Sequence, residues 1–257
     1  MDNSSKEPIK IQTMFSTIAH RYDLLNRVLS LGIDGYWRKF AVNQLPDVKS
    51  PEFLDVATGT GDIALEIVKK TPDAKVTGVD FSEGMIKIGK EKVRKAGLND
   101  RIDIRFGDAS KLSFDDNKFD GSIIAFGIRN VQDYKKGISE MGRVVKSGGK
   151  VVILEFTTVQ NRLFKPVYRF YITKFLPFIG EIISGKKGAY KYLPDSMLNF
   201  PVPEKFKKTM EETGLQDVKY HKLTFGIVAV HVGTVSCHSP TCRNRLVPSS
   251  GNPELKT

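Results

Sequence analysis

The strongest constraint on the fold is a regular alternation of short apolar runs with helix-length segments between Glu52 and Phe156. This alternation is typical of a parallel sheet covered by helices on both faces, because parallel strands need long crossover connections. The predicted strands are Phe53–Ala57, Lys75–Asp80, Ile102–Gly107, Phe119–Ala125 and Lys150–Glu155. The predicted helices between them are Ile63–Lys70, Glu83–Ala96 and Asp133–Val145, the last stopped by a turn at Ser147-Gly148-Gly149.

Segments on both sides of this region complete the predicted domain. Ile11–Leu31 and Tyr36–Leu45 have the apolar faces of helices, and two closing strands, Val218–Leu223 and Ile227–Val232, flank a tight turn at Phe225-Gly226. The sequence therefore predicts an α/β fold with a single doubly wound, seven-stranded, mostly parallel sheet. We expect a flexible N-terminus at residues 1–10, one domain at 11–233 and a disordered tail at 234–257 that is rich in Ser, Pro, Asn and Thr.

Glycines and carboxylates follow the first three predicted strands. The first strand runs into Asp55-Val56-Ala57-Thr58-Gly59-Thr60-Gly61-Asp62, where two glycines allow a sharp turn and a close approach of backbone to ligand. Asp80 ends the second strand, where an acid can accept hydrogen bonds from both ribose hydroxyls of a nucleotide. Asp108-Ala109 follows the third strand and places a carboxylate where an adenine amino group can donate.

Two nucleotide cofactors compete for this pattern. A dinucleotide site permits Ala64 at its third glycine position, but Asp62 at the helix start would face the pyrophosphate with negative charge. S-adenosylmethionine carries an ammonium and a sulfonium, which favour anionic partners. We therefore predict an S-adenosylmethionine site with these cofactor-binding residues: Asp55, Gly59, Thr60, Gly61, Asp80, Asp108 and Ala109. Helix capping explains any one of the acids but poorly explains all three.

Six segments carry a more selective pattern: Phe15–Asp23 with Asn26; Leu54–Asp62; Phe126–Val131; Arg143–Gly149 with Leu154-Glu155-Phe156; Ala189–Leu193 with Ser196; and Gly226–Gly233. Together they resemble the C-methyltransferases of ubiquinone and menaquinone biosynthesis, from about Met14 to Gly233. Ser147 stands where the family usually has Pro. Ala125 stands where some relatives have a Ser implicated in cofactor contact, so it is not included in the predicted site.

The resemblance implies a Rossmann-like class I methyltransferase that methylates a ring carbon of a prenylated quinol. The expected substrate is demethylmenaquinol, with the benzoquinol precursor of ubiquinone as a further one. Tyr22, Arg129 and Asn130 are the implied catalytic residues. Because arginine stays protonated, we expect Arg129 to stabilise a phenolate, Tyr22 or a water to accept the proton, and Asn130 to orient the ring oxygen. Tyr22 as a packed helix residue and Arg129 as a structural partner of Asp133 remain alternatives.

Most of the net charge of +11 is explained by a basic and aromatic segment. Residues 157–191 contain seven basic side chains, one acid and seven aromatic rings, and we expect a helical lid over the substrate at about 157–200. An amphipathic helix is predicted at Arg162–Phe175, with Leu163, Val167, Phe170, Tyr171 and Phe178 on one face. The pattern favours peripheral contact with membrane lipid over nucleic acid. A core helix with a solvated charged face is the alternative.

Composition also limits location and chemistry. The chain has neither a long uncharged apolar run nor the features of a signal peptide, which favours a cytoplasmic protein that contacts the inner face of the membrane. Its two cysteines, Cys237 and Cys242, lack a second pair of ligands, so no metal site is predicted. A homodimer is compatible with the sequence. Methylation of another small apolar acceptor, methylation of RNA, and a non-catalytic cofactor-binding role remain competing functions.

Overall fold

The computed structural model describes residues 19–20, 23–24, 26–159, 165–175 and 192–236. They form one seven-stranded sheet in the order β3-β2-β1-β4-β5-β7-β6. The strands are β1 (Glu52–Val56), β2 (Lys75–Asp80), β3 (Ile102–Phe106), β4 (Phe119–Ala125), β5 (Val145–Phe156), β6 (Leu215–Leu223) and β7 (Val228–Val235). Strands β1 to β5 pair in parallel, and β7 is antiparallel to both of its neighbours. The predicted seven-stranded, mostly parallel α/β fold is confirmed.

The helices lie before β1, in the crossovers between the parallel strands, and between β5 and β6. They are α1 (Asp34–Val42), α2 (Asp62–Lys70), α3 (Glu83–Lys95), α4 (Tyr134–Arg143), α5 (Lys165–Phe170), α6 (Tyr192–Leu198) and α7 (Pro203–Glu212). Short 3₁₀ turns lie at Ile128–Asn130 and Thr224–Gly226, and a π-helical turn lies at Tyr171–Phe175. Helix α7 was not predicted, although Pro203 at its first turn is a recognised start signal, since proline has no N–H to leave unsatisfied there.

Successive residues of the central strands enter two separate cores. Phe53 and Val152 pack with α1, α2 and α3 on one face, whereas Leu54 and Ile153 pack with α4 and α7 on the other. Because side chains alternate along a strand, a strand buried on both faces has no polar alternation, and β1 is buried at all but its first residue. This double burial makes the central strands rigid supports for the loops at their carboxyl ends.

Two predicted boundaries differ from the structure. Ser147-Gly148-Gly149 belongs to β5, where a register shift opposite β4 accommodates the positive φ of Gly148 (81°), so the expected turn is an irregularity within a strand. Strand β7 continues to Val235 because Thr234 and Val235 still pair with Lys150 and with Leu215, which moves the end of the ordered sheet past the predicted boundary at 233.

The predicted lid helix is also corrected where it is described. Helix α5 and the following π turn bury Tyr168 and Ile172, whereas Phe170, expected on the apolar face, is 67% exposed. The π turn widens the helical spacing and so changes which side chains share a face. Outside the described residues lie Tyr22, residues 1–10, 160–164 and 176–191, and the tail from Cys237 onward. Within the described part of the chain, no helix has the length and apolarity needed to span a bilayer.

Candidate cofactor and substrate site

A cleft of about 1000 Å³, counting its open mouth, lies at the carboxyl ends of β1 to β4. Ligands of open α/β sheets bind at this edge, where the strand order reverses. Here β1 lies between β2 and β4, so the crossovers leave in opposite directions beside the cleft. Sixteen residues line it: Ala57, Gly59, Asp80, Phe81, Ser82, Met85, Gly107, Asp108, Ala109, Ser110, Ala125, Phe126, Gly127, Asn130, Val131 and Gln132.

The glycine turn presents its backbone to this cleft. Gly59 and Gly61 have φ values of 57° and 82°, in the left-handed region that favours glycine. The Thr58 N–H donates to the Val79 carbonyl at 2.9 Å, which fixes the start of the turn against β2. A Cβ on Gly59 would meet no atom of the described chain within 4 Å and would take up space in the cleft. The absence of a side chain at Gly59 therefore leaves room in the cleft that a methyl group would occupy.

The carboxylate of Asp80 lines the cleft at the end of β2. Its Oδ2 accepts the Gly59 N–H and its Oδ1 accepts the Ser82 N–H, both at 2.8 Å. Burial raises its pKa, and hydrogen bonds from backbone N–H groups oppose the rise. Because each carboxylate oxygen accepts more than one hydrogen bond, Asp80 can hold the glycine turn and still accept from a ribose.

Asp55, Thr60 and Gly61 do not line the cleft, unlike the other predicted cofactor residues. Asp55 lies behind the turn, fully buried, and accepts a hydrogen bond from the Thr58 hydroxyl. Burial raises the pKa of Asp55 to about 7, the Thr58 hydrogen bond opposes the rise, and the nearby Asp80 carboxylate adds to it. The structure therefore places Asp55 as a support for the turn and Gly61 as the left-handed N-cap of α2.

The third strand supplies the far side of the cleft. Asp108 is exposed, and its Oδ1 accepts the Ser110 N–H at 2.8 Å. Ala109 lies beside it in the lining. Sequence reasoning missed two apolar residues here, Phe81 and Met85, as well as Ala125. Phe81 directly follows Asp80, so its position after a strand end was the signal that could have identified it.

Asn130 also lines the cleft, but the adjacent Arg129 does not. The Arg129 side chain is buried, and its Nη1 donates to the Glu155 carboxylate and to the Phe126 carbonyl, both at 2.6 Å. Its guanidinium lies 5.4 Å from the Phe156 ring centroid. Burial raises the pKa of Glu155, and the Arg129 charge opposes that rise. Arg129 is therefore paired with Glu155 and not with Asp133, which caps α4 through the Lys136 N–H.

Tyr168 lies near this buried pair. Burial raises the pKa of its hydroxyl strongly, and the Arg129 charge is the principal influence that lowers it. Helix α5 therefore brings a buried phenol close enough to feel the Arg129 charge. Tyr22, the third predicted catalytic residue, lies outside the described residues.

Two other polar side chains have partners within the fold, and neither lines the cleft. Asp62 does not face the cleft, because its carboxylate is 2.6 Å from the Lys92 ammonium and 3.3 Å from the Arg38 guanidinium. The negative charge of Asp62 is therefore balanced within the fold and does not favour a cationic cofactor over a dinucleotide. His231, which belongs to the Gly226–Gly233 segment of the family pattern, is buried under α7, where its Nε2 lies 3.1 Å from the Pro203 carbonyl. Burial lowers the pKa of His231 to about 4.

Comparison with known proteins agrees with this architecture. A model of the ubiE/COQ5 methyltransferase family matches residues 2–235. The ubiquinone/menaquinone biosynthesis C-methyltransferase UbiE of Geotalea daltonii is 51% identical over 225 residues, which cover 87% of this chain and 95% of that protein. The demethylmenaquinone methyltransferase of Bacteroides fragilis is 42% identical over 232 residues, covering 90% and 95%.

Among solved structures, an S-adenosyl-L-methionine-dependent methyltransferase of Methanococcus maripaludis superposes with a TM-score of 0.62 at 20% identity, covering 88% of this chain and 95% of that one. At that identity the likeness concerns the fold alone. The match to the family model extends over nearly all of the described chain. The chain belongs to the ubiE/COQ5 methyltransferase family.

Proposed function

We propose that the protein transfers the methyl group of S-adenosylmethionine to a ring carbon of a prenylated quinol, and that demethylmenaquinol is the substrate it converts to menaquinol. The cleft at the topological switch point of the sheet, with Asp80 and Gly59 at its centre, is the observation that carries the cofactor assignment. The names of relatives that are 42% and 51% identical support the quinol. The benzoquinol precursor of ubiquinone is a second substrate of the same chemical class.

The residues of the cleft fit the cofactor. Asp80 offers carboxylate oxygens for ribose hydroxyls, Asp108 offers an exposed carboxylate for an adenine amino group, and Phe81 and Met85 offer apolar surface for the base. When bound, S-adenosylmethionine supplies an electrophilic methyl group on a positively charged sulfur. The chain itself contributes alignment, since holding two reactants together in near-attack geometry accounts for much of such a reaction barrier.

Arg129 and Asn130 provide the polar groups on the substrate side. The Nε–H of Arg129 is buried and has no acceptor among the described residues. Because Arg129 does not line the cleft, we expect this N–H to reach a quinol oxygen only when the substrate displaces the cleft wall at Phe126 and Asn130. The bond would then stabilise the phenolate that forms as the ring carbon becomes nucleophilic. Glu155 neutralises the guanidinium and fixes its direction, so Arg129 acts as an oriented donor. Tyr22 or a water accepts the phenolic proton, and Asn130 orients the ring oxygen from the cleft wall.

Methyl transfer from labelled S-adenosylmethionine to chemically reduced demethylmenaquinone tests this function. We expect product from the quinol, none from the oxidised quinone, and a loss of about 100-fold or more in kcat for Arg129→Ala, as for removal of one preorganised donor. Lys135→Ala, a change at an exposed side chain of α4, is the matched control. Cofactor binding without transfer to any quinol, but with transfer to another phenol or to RNA, would replace the quinol assignment.

We further propose that α5 and the π turn after it contact anionic membrane lipid. Phe170 and Phe175 are exposed, as are the neighbouring basic residues Arg169 and Lys174. The Tyr171 hydroxyl donates to the Leu29 carbonyl at 2.6 Å, which joins this segment to a second exposed apolar residue, Leu31. Exposed apolar side chains flanked by basic residues match a bilayer that carries negative charge. Such contact would bring the site to a substrate dissolved in lipid.

Flotation with vesicles tests this surface independently of catalysis. The full chain should float with phosphatidylcholine vesicles that contain phosphatidylserine and much less with phosphatidylcholine alone. Arg169→Glu and Lys174→Glu should each lower the partition coefficient of the protein onto the anionic vesicles at least about fivefold. This factor corresponds to the roughly 1 kcal/mol that a basic residue contributes near an anionic surface. Val48→Ser removes a comparably exposed apolar residue far from α5 in the chain and should have no effect. Equal flotation with both vesicle types would reject the proposal.

A further inference from the structure

A ring of polar groups forms around the glycine turn from residues that do not line the cleft. Lys92 of α3 lies at its centre, with Nζ at 2.5 Å from Asp23 Oδ2, 3.0 Å from Thr60 Oγ1 and 2.6 Å from Asp62 Oδ1. An ammonium has three N–H donors, and each has an acceptor here. These four residues, Asp23, Thr60, Asp62 and Lys92, are called the Lys92 cluster below.

The members of the Lys92 cluster come from three separate parts of the chain. Thr60 and Asp62 belong to the glycine turn and the first residue of α2, whereas Asp23 belongs to the segment before α1. The Thr60 hydroxyl donates to Asp23 Oδ1 at 2.6 Å, which closes the ring of contacts. Only about a third of the Asp23, Asp62 and Lys92 side-chain surface is exposed, so screening by water is incomplete.

Helix α3 also packs directly against the turn through its backbone. A Cβ on Gly89, one helical turn before Lys92, would lie 3.3 Å from the Thr60 carbonyl carbon, 3.4 Å from the Gly59 carbonyl oxygen and 2.8 Å from Ile104 Cδ1. Gly89 and Lys92 share a face because residues three apart are neighbours on a helix. Gly59, which this contact supports from behind, lines the cofactor cleft.

We propose that Lys92 is a positioning residue for cofactor binding: it fastens the segment that carries Asp23 to the glycine turn and so fixes the Gly59 backbone at the cleft. The proposal rests on the assignment of the cleft to S-adenosylmethionine. Lys92 does not line the cleft, so it acts through Thr60 and Asp62. Without the Lys92 charge, Asp23 loses its cation and faces the Asp62 carboxylate, which keeps only the Arg38 guanidinium at 3.3 Å among the described residues. We expect the repulsion between these two carboxylates to displace the turn.

Binding of S-adenosylmethionine to the full-length protein, measured by calorimetry, tests this role without any quinol. Lys92→Met should raise Kd about tenfold, equivalent to the loss of one charge-assisted contact. In steady-state assays KM for the cofactor should rise while kcat stays near that of the wild type. Lys95→Met is the matched control, because Lys95 lies on the same helix and pairs with the exposed Glu91. It should bind like the wild type.

A second variant separates positioning from loss of fold. Adding Asp23→Asn to Lys92→Met removes one of the two opposed carboxylates and should recover at least half of the lost affinity, as should Lys92→Arg alone. A merely structural role would lower Tm and leave Kd unchanged. If the wild type binds the cofactor and Lys92→Met binds it equally well, the positioning role is overturned. If the wild type does not bind it at all, the proposed function falls first and this inference falls with it.

Discussion

The Arg129–Glu155 pair allows a sharp test of the energetics of the site. Both side chains are almost completely buried, with exposed fractions of 6% and 1%. Glu155→Leu leaves the guanidinium buried beside the Phe126 carbonyl with its charge uncompensated. Removing one partner of a buried pair typically costs about 3 to 5 kcal/mol. For a domain of this size, that cost lowers Tm by roughly 6 to 20 °C.

The double variant should behave differently from either single variant. Arg129→Met with Glu155→Leu removes both charges and retains most of the volume, and such replacements are often neutral or stabilising. We therefore expect the double variant to be more stable than Glu155→Leu by about 2 kcal/mol or more. Urea titrations followed by circular dichroism give the free energies of unfolding, provided that the m-value stays constant across the four proteins.

An exposed pair serves as the control for this cycle. Lys135 and Glu212 also approach to 2.7 Å, but their side chains are 56% and 60% exposed. We expect no measurable coupling between them, because water and salt screen exposed charges. If the losses of Arg129→Met and Glu155→Leu simply add in the double variant, the ionic interaction does not control stability, and the burial argument for this pair is wrong.

Three further predictions concern single residues of the site and the sheet. Gly59→Ala should abolish cofactor binding in calorimetry while lowering the free energy of unfolding by only about 1 to 2 kcal/mol, the cost of a left-handed alanine; unchanged binding would show that the cleft does not use this backbone. The pKa of Asp55 is raised to about 7 in the folded state, so the free energy of unfolding should decrease as pH rises from about 4 to 7, and Asp55→Asn should remove that part of the slope in urea titrations. The pKa of His231 is lowered to about 4, so its contribution has the opposite sign: stability should be lost as pH falls from about 6.5 to 4, and His231→Gln should reduce that loss. For either residue, an unchanged slope in the variant would contradict the assignment.

Much of the fold was predictable because its strongest determinants are local. The apolar run that forms β1 and the glycines after it define a strand, a turn and a helix start within ten residues. The same locality placed Gly59, Asp80, Asp108 and Ala109 in the cleft, since each follows directly from the end of a strand.

The charge partners of the site residues could not be predicted, because those partners are distant in sequence. Arg129 was predicted to stabilise a phenolate, with Asp133 as its alternative partner, because nothing nearby in the sequence reveals Glu155. Glu155 reaches Arg129 only when β4 and β5 pair. Asp62 was expected to face the cofactor phosphates or charges for the same reason, although α3 brings Lys92 to it. Residue type and spacing identify which side chains are polar at the sheet edge. They do not reveal which of those charges are already neutralised by the fold.

The position of β7 has a consequence for how the chain is made. This strand comes last among the seven, yet it lies between β5 and β6 and is the neighbour through which β6 joins the sheet. During synthesis from the N-terminus, one edge of β5 therefore remains without its neighbour until residues 228–235 have emerged. Unpaired strand edges favour pairing with other chains. Premature termination before Val228 would thus remove two strands from the sheet and leave an apolar edge open to aggregation.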